Sequence, residues 1–260
     1  GINDKNANSI IKDCYDIIME LIRAKILLEG YSSSGNYAHE AEISYLRKLG
    51  FPNIDISFLN ELRYFRNGIT YYGKILDKEY AQKTLDFLER FKEKLKPFLV
   101  IIRGPLGVGK STIAKMLAKE LDGEYFSIDS ILEQEGLDKI DEKEGCIPLS
   151  NFIKANQKIL PKIINSIENN KIAVIESNFY HKEQLDNLIK NFSKTKFYVF
   201  TLKASLKTCI QRDKKRQNSY GKEAAEEVYA LVSKFDYGKI VDTENKSEKE
   251  VVGEINKVLR

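Results

Sequence analysis

The stretch Phe98-Leu-Val-Ile-Ile-Arg-Gly104-Pro105-Leu106-Gly107-Val108-Gly109-Lys110-Ser111-Thr112 decides the fold. An apolar run of strand length hands over to Gly-x-x-x-x-Gly-Lys-Ser. Ile113, Met116, Leu117 and Leu121 then follow at helical spacing. Strand, glycine-rich turn and helix in that order make a phosphate-binding loop. Gly104, Gly107 and Gly109 permit backbone conformations that turn successive N–H groups inward as an anion nest. Lys110 is long enough to reach the outer phosphates, the Ser111 hydroxyl is an oxygen donor suited to Mg²⁺, and the helix beginning near Lys110 aims its positive end at the same place. Residues 104–112 are therefore expected to hold a nucleoside triphosphate.

Beyond this loop, apolar runs of strand length alternate with helical patterns. The expected strands are Phe98–Arg103, Tyr125–Ile128, Ile172–Glu176, Phe197–Leu202 and Lys239–Val241. The expected helices are Ser111–Leu121, Ser150–Asn169, Lys182–Phe192, Ser205–Lys215, Glu223–Phe235 and Ser247–Leu259. Alternation of this kind predicts an α/β fold, a parallel sheet covered on both faces, with ligands at the carboxyl ends of its strands. Before Pro97 the period is helical throughout. Ile10, Cys14, Ile17, Leu21, Ala24 and Leu28 are expected on the inner face of a first helix, and 32–36 form a polar loop. Further helices are read at Tyr37–Leu49, Ser57–Tyr72 and Lys78–Lys96. The chain thus reads as a helical bundle over 1–97 and an α/β domain over 98–260, joined near Arg90–Lys96.

Strand ends are where the acceptor side of a phosphate-transfer site should lie. Asp129, after the second strand, is placed to orient or deprotonate a hydroxyl, or to cap the short helix Ser130–Glu133. Glu176, closing the third, is a candidate second metal acid, and Asn178 and His181 follow on the same loop as candidate acceptor contacts. Arg212 and Arg216 are one helical turn apart in a basic segment positioned as a lid, where they would neutralise charge on a transferred group; Lys214 and Lys215 are expected to face solvent. Residues 133–150 read either as an acceptor-binding insertion or as a surface loop.

On the loop Gly104–Thr112, Asp129 and Arg212/Arg216, residues 98–260 resemble the P-loop kinase family, which includes polynucleotide, shikimate and gluconate kinases and zeta-type toxins. The resemblance implies a five-stranded sheet of order 2-3-1-4-5, ATP with Mg²⁺, and transfer to a hydroxyl by Lys110, Asp129, Arg212 and Arg216. Where polynucleotide-kinase-like members carry Asp-x-Thr at the third strand, this chain has Glu176-Ser-Asn-Phe. In the first half, Leu62-Arg-Tyr-Phe-Arg66-Asn67-Gly-Ile-Thr-Tyr71-Tyr72-Gly73 resembles the HEPN family of helical domains, whose nuclease members carry a His where Tyr71 or Tyr72 stands here. That resemblance implies a homodimer through the helical domain and phosphate or RNA contacts by Arg66, Asn67 and Tyr71, without the imidazole that cleavage needs.

Bulk properties narrow the classes. The composition is 42% hydrophobic and 31% charged, with a net charge of +4, too small to mark a nucleic-acid binder by itself. No apolar run approaches the ~20 residues of a membrane helix. Cys14, Cys146 and Cys209 are isolated, so no disulfide frame or zinc site is expected and a cytoplasmic location fits. Together these features point to an ATP:hydroxyl phosphotransferase acting on a polynucleotide 5′-hydroxyl or a nucleoside. A small-metabolite kinase and an ATP-binding regulatory or toxin–antitoxin-type HEPN protein are the alternatives.

Overall fold

Ala7–Leu28 forms α1, whose buried side chains are Ile11, Tyr15, Ile18, Ile22 and Ile26 with Cys14. This corrects the expected face: Ile17 and Leu28 are 45% and 77% exposed. The helix carries two apolar registers one residue apart, and packing against its neighbours selects one of them. In this computed structural model residues 1–35 and 37–259 are described; Asn36, at the end of the polar loop, lies outside the described residues. The remaining helices of the first unit, Gly1–Lys96, are α2 (Ala38–Tyr45), α3 (Asn53–Tyr72) and α4 (Lys78–Leu95). α3 starts four residues before the expected Ser57, because Pro52 supplies the extended residue that opens a helix. It stops at Gly73, whose φ of 62° leads the chain out in a left-handed conformation. The Asp77 side chain caps α4 by accepting from the Tyr80 N–H.

The second unit, Pro97–Leu259, is described by itself. Its strands are β1 (Leu99–Arg103), β2 (Glu124–Ser127), β3 (Ala173–Ser177), β4 (Phe197–Lys203) and β5 (Lys239–Asp242). They pair in the order β2-β3-β1-β4-β5, every pair parallel. β1 and β3 are buried at every position, which explains why they read as unbroken apolar runs rather than as alternation. On one face Leu99, Ile101 and Ile175 pack against α6 (Ile128–Gln134), α7 (Leu149–Glu168) and α8 (Lys182–Lys190). On the other, Val100, Ile102 and Phe200 pack against α5 (Lys110–Glu120), α9 (Leu206–Lys214) and α11 (Glu248–Leu259). α10 (Lys222–Val232) follows α9 across a short turn. No helix among the described residues is long and apolar enough to cross a membrane.

Candidate functional site

The sheet order sends the chain from β1 out between the ends of β3 and β4, the crevice where α/β folds bind ligands. There Gly104–Gly109 turn and α5 begins at Lys110, with Gly109 at its N-cap. Gly107, at φ 75°, is demanded twice over: by its left-handed conformation and by the α9 backbone, since a Cβ here would lie 2.0 Å from the Cys209 carbonyl oxygen. Lys110 is buried, and its Nζ donates to the Pro105 carbonyl (3.1 Å) and to Asn178 Oδ1 (2.9 Å). Loss of hydration pulls the Lys110 ammonium below its ordinary range. A group held this way is primed to exchange weak neutral partners for phosphate.

Glu176 stands in register with both Ser127 and Ile102, so β3 delivers it beneath the loop. Its Oε1 accepts from Ser111 Oγ (3.2 Å) and from the Tyr125 hydroxyl (2.9 Å). Its Oε2 is buried without a hydrogen-bond partner. A buried, half-satisfied carboxylate beside a serine hydroxyl is a donor set of hard oxygens that fits Mg²⁺.

Asp129 was expected either at the site or as a helix cap. The cap is Ser127, whose Oγ accepts from the Ser130 N–H at 3.2 Å, and this leaves Asp129 free to turn inward. Ser177 Oγ donates to its Oδ1 at 2.6 Å and Asn178 Nδ2 to its Oδ2 at 3.3 Å. Asn178 therefore touches Lys110 with its carbonyl end and Asp129 with its amide end. Desolvation, then the nearby Glu176 charge, raises the Asp129 carboxyl to about 6, the range where a carboxylate can act as a general base near neutrality.

Arg212, Lys215 and Arg216 line a cavity of about 240 Å³ with Gly107 and Lys110–Thr112. Lys214 and Lys215 are exposed, as expected, with Lys215 on the rim of this cavity just beyond the end of α9. Arg212 is fixed, donating to Thr243 Oγ1 (2.9 Å) and to the Thr243 carbonyl (2.8 Å). Arg216 lies beyond the helix end and is exposed. The turn that carries it is held by Asp213, a residue the sequence did not single out. Buried, Asp213 accepts from Ser219 Oγ (2.7 Å) and from the N–H groups of Tyr220 (3.1 Å) and Gly221 (3.2 Å). Arg103 is a second such residue. Fully buried at the end of β1, it donates to the carbonyls of Phe179 (3.3 Å), Val232 (3.0 Å) and Phe235 (2.9 Å) and to Thr201 Oγ1 (3.2 Å). It thereby ties the β3–α8 loop and the end of α10 to the sheet.

A second cavity, of about 420 Å³, is lined by Lys110, Ser111, Asp129, Glu176 and Arg216. It shares Leu106, Asp129, Glu133 and Tyr220 with a third, more apolar one of about 300 Å³. The third is walled by α6, α10 and the β3–α8 loop, and by Asp138, Ile140, Gly145, Cys146 and Ile147. Residues 133–150, opaque in the sequence, thus form one side of a pocket facing Asp129. His181 stands behind this wall: its Nε2 lies 2.9 Å from the Ile147 carbonyl and its ring packs on Phe152 and Tyr180.

Residues 100–233, just over half of the chain, match the family described as AAA domain. The chain belongs to this family. Among curated relatives it is 32% identical over 133 residues to the cytidylate kinase of Sulfurisphaera tokodaii, covering 50% of this chain and 68% of that protein. It is 32% identical over 139 residues to the shikimate kinase of Actinobacillus succinogenes, covering 52% of this chain and 74% of that protein. Its match to the pentafunctional AROM polypeptide of Schizosaccharomyces pombe, 26% identical over 167 residues, spans 61% of this chain but only 11% of that much longer protein. In fold, a sugar kinase from Janibacter sp. superposes with a TM-score of 0.51 at 12% identity, covering 62% of this chain and 93% of the other. The AAA-domain match lies within the α/β unit.

In the first unit, the Arg66 guanidinium lies 3.4 Å from Asp16, while Asn67, Tyr71 and Tyr72 are exposed near the end of α3. His39, on another helix, lies with its Nδ1 3.3 Å from the Tyr15 hydroxyl.

Proposed function

We propose that the protein transfers the γ-phosphate of ATP to a hydroxyl of a small molecule. The observation that carries this is the position of Asp129, shared between the cavity that continues from the phosphate loop and the apolar cavity beside it. In this reading the loop amides and Lys110 hold the donor's outer phosphates. Ser111 and Glu176 would hold Mg²⁺, which when bound neutralises phosphate charge. Asp129 accepts the proton of the attacking hydroxyl, whose oxygen bonds to the γ-phosphorus as the β,γ-bridging P–O bond breaks and ADP leaves. Arg212 and Arg216 stabilise the charge on the transferred group, and the Asp213-knotted turn keeps Arg216 over the site.

A polynucleotide 5′-hydroxyl is less well supported than a small acceptor. A strand end would need cations along its path, and the apolar cavity has no Lys, Arg or His on its lining. Transfer of labelled γ-phosphate from ATP·Mg²⁺ to a 5′-hydroxyl RNA, the matching DNA, and pooled nucleosides and small hydroxyl compounds tests the reading. Label is expected in a small molecule and lost in Lys110→Ala and Asp129→Asn. Label in the oligonucleotides would restore the polynucleotide acceptor. Tight ATP binding with no transfer would favour an ATP-controlled regulatory protein.

A further inference from the structure

Cys146 has no cysteine or histidine near it in sequence, and the fold supplies what the spacing lacks. The 133–150 segment brings Glu144 and Cys146 to His181, which opens α8. One carboxylate oxygen, the thiol sulfur and one ring nitrogen then all lie within 4.8 Å of one another. Among the described residues no other three His, Cys, Asp or Glu side chains gather their donor atoms this way. A tetrahedral Zn²⁺ with bonds of about 2.0–2.3 Å holds its ligand atoms about 3.3–3.8 Å apart, so no pair has to approach by more than about 1.5 Å. Glu144 is exposed, and its side chain can make that movement.

The three side chains are not committed elsewhere. Cys146 is only 8% exposed, and its thiol has no hydrogen-bond partner among the described residues. His181 is the N-cap residue of α8 but makes no side-chain capping bond. Its ring is packed on Phe152 and Tyr180, with Nε2 2.9 Å from the Ile147 carbonyl. A carbonyl can only accept, so Nε2 carries the proton and Nδ1 keeps its lone pair, the state in which a histidine ligates a metal. The Tyr180 hydroxyl accepts from the Ile147 N–H at 3.0 Å and donates to the Ile147 carbonyl at 3.3 Å. The two chain segments that carry the ligands are therefore already fastened together. Of the charged groups that act on the thiol, Glu144 and Asp141 are acidic and Lys234 is basic, a balance that favours a cation.

We infer that Glu144, Cys146 and His181 bind Zn²⁺, with water in the fourth position. Sulfur and imidazole donors select a thiophilic ion, unlike the hard oxygens of Ser111 and Glu176, which suit Mg²⁺. As the Zn–S bond forms, the thiol gives its proton to solvent. The ion ties the 133–150 segment to the start of α8. Because Cys146 and Ile147 also line the cavity beside Asp129, it sets one wall of that cavity. The inference does not depend on which compound, if any, is phosphorylated there.

The test uses the full chain, stripped of metal with a chelator and then kept in Mg²⁺ so that the oxygen site is filled. Titration with Co²⁺ should give a thiolate-to-metal charge-transfer absorption that an equivalent of Zn²⁺ abolishes and further Mg²⁺ does not. Cys146→Ser should lack the band, and Glu144→Gln and His181→Gln should each weaken Zn²⁺ binding at least about tenfold. Binding of an ATP analogue reports that each variant is folded. Glu144 lies on the surface, so its variant decides the matter even if the other two fail to fold. No charge-transfer band, a band that survives in Cys146→Ser, or a Zn²⁺ affinity unchanged in folded Glu144→Gln or His181→Gln overturns the inference.

Discussion

Replacing Gly107 with alanine should disable the site through the backbone alone, without removing any side chain that holds substrate or metal. An alanine here must hold φ near 75°, which costs an L-residue about 1–2 kcal/mol. Its methyl would meet the Cys209 carbonyl oxygen at 2.0 Å, and ordinary contact begins near 3.4 Å, so loop or helix must give way by about 1.4 Å. The obstacle is backbone, not a side chain that can swing aside. Overpacking of this kind adds about 1–3 kcal/mol, for a total loss of about 2–5 kcal/mol. The displaced element is either the nest itself or α9, which carries Arg212. An ångström of misplacement at a reacting centre is worth about a hundredfold in rate. Urea unfolding and titration with a fluorescent ATP analogue measure both effects. The contrast is Gly253→Ala in α11, where nothing lies within 4 Å of the new methyl; it should stabilise by about 0.5–1 kcal/mol and leave nucleotide binding alone. A Gly107→Ala protein that is as stable as wild type and binds the analogue equally well would refute the packing argument.

Four further outcomes are expected. Asp129→Asn should cut phosphate transfer by roughly 10²–10⁴-fold, the usual worth of a general base, measured as single-turnover label transfer. The same substitution should stabilise the protein by about 1–2 kcal/mol above pH 6. There the folded state holds a charged carboxylate whose pKa is raised from 3.8 to about 6, and the advantage of Asn should fade as pH falls from 6 toward 4 and the native carboxyl takes up its proton. For the wild type, kcat/KM should fall as pH drops through about 6, because the base is then protonated in the free enzyme; a profile flat from pH 7.5 to 5 would remove Asp129 from that role. Arg103→Leu should destabilise by about 3 kcal/mol or more in urea melts, since it orphans three buried carbonyls at once, each worth about 1–3 kcal/mol; a loss under 1 kcal/mol would mean water replaces the guanidinium.

What was legible in the sequence is what local chemistry specifies. The phosphate loop needs its glycines, lysine and serine at fixed spacing, and β1 and β3, buried on both faces, announce themselves as apolar runs. Asp129 and Glu176 were legible because a carboxylate at the carboxyl end of a strand lies at the ligand-binding edge of a parallel sheet. The inner face of α1 was not, because Ile10 and Ile17 offered as good a register as Ile11 and Ile18, and only neighbouring helices decide between them. The cavity beside Asp129 was not legible either. Its walls come from 133–150, the β3–α8 loop and α10, segments distant in sequence and without a shared period. Arg103 and Asp213 passed as a strand-end cation and a helix-face acid. Their roles depend on which carbonyls and amides the fold brings to them, though a charged residue closing a strand buried on both sides is a signal that could have drawn attention to Arg103.

The most direct test of the account is the fate of the γ-phosphate. With ATP·Mg²⁺ and a hydroxyl acceptor that binds beside Asp129, phosphorus NMR should show one phosphate ester formed for each ADP released. Both should vanish in Asp129→Asn while the nucleotide still binds. ADP appearing with inorganic phosphate alone, at a rate that the acceptor and Asp129→Asn leave unchanged, would contradict it.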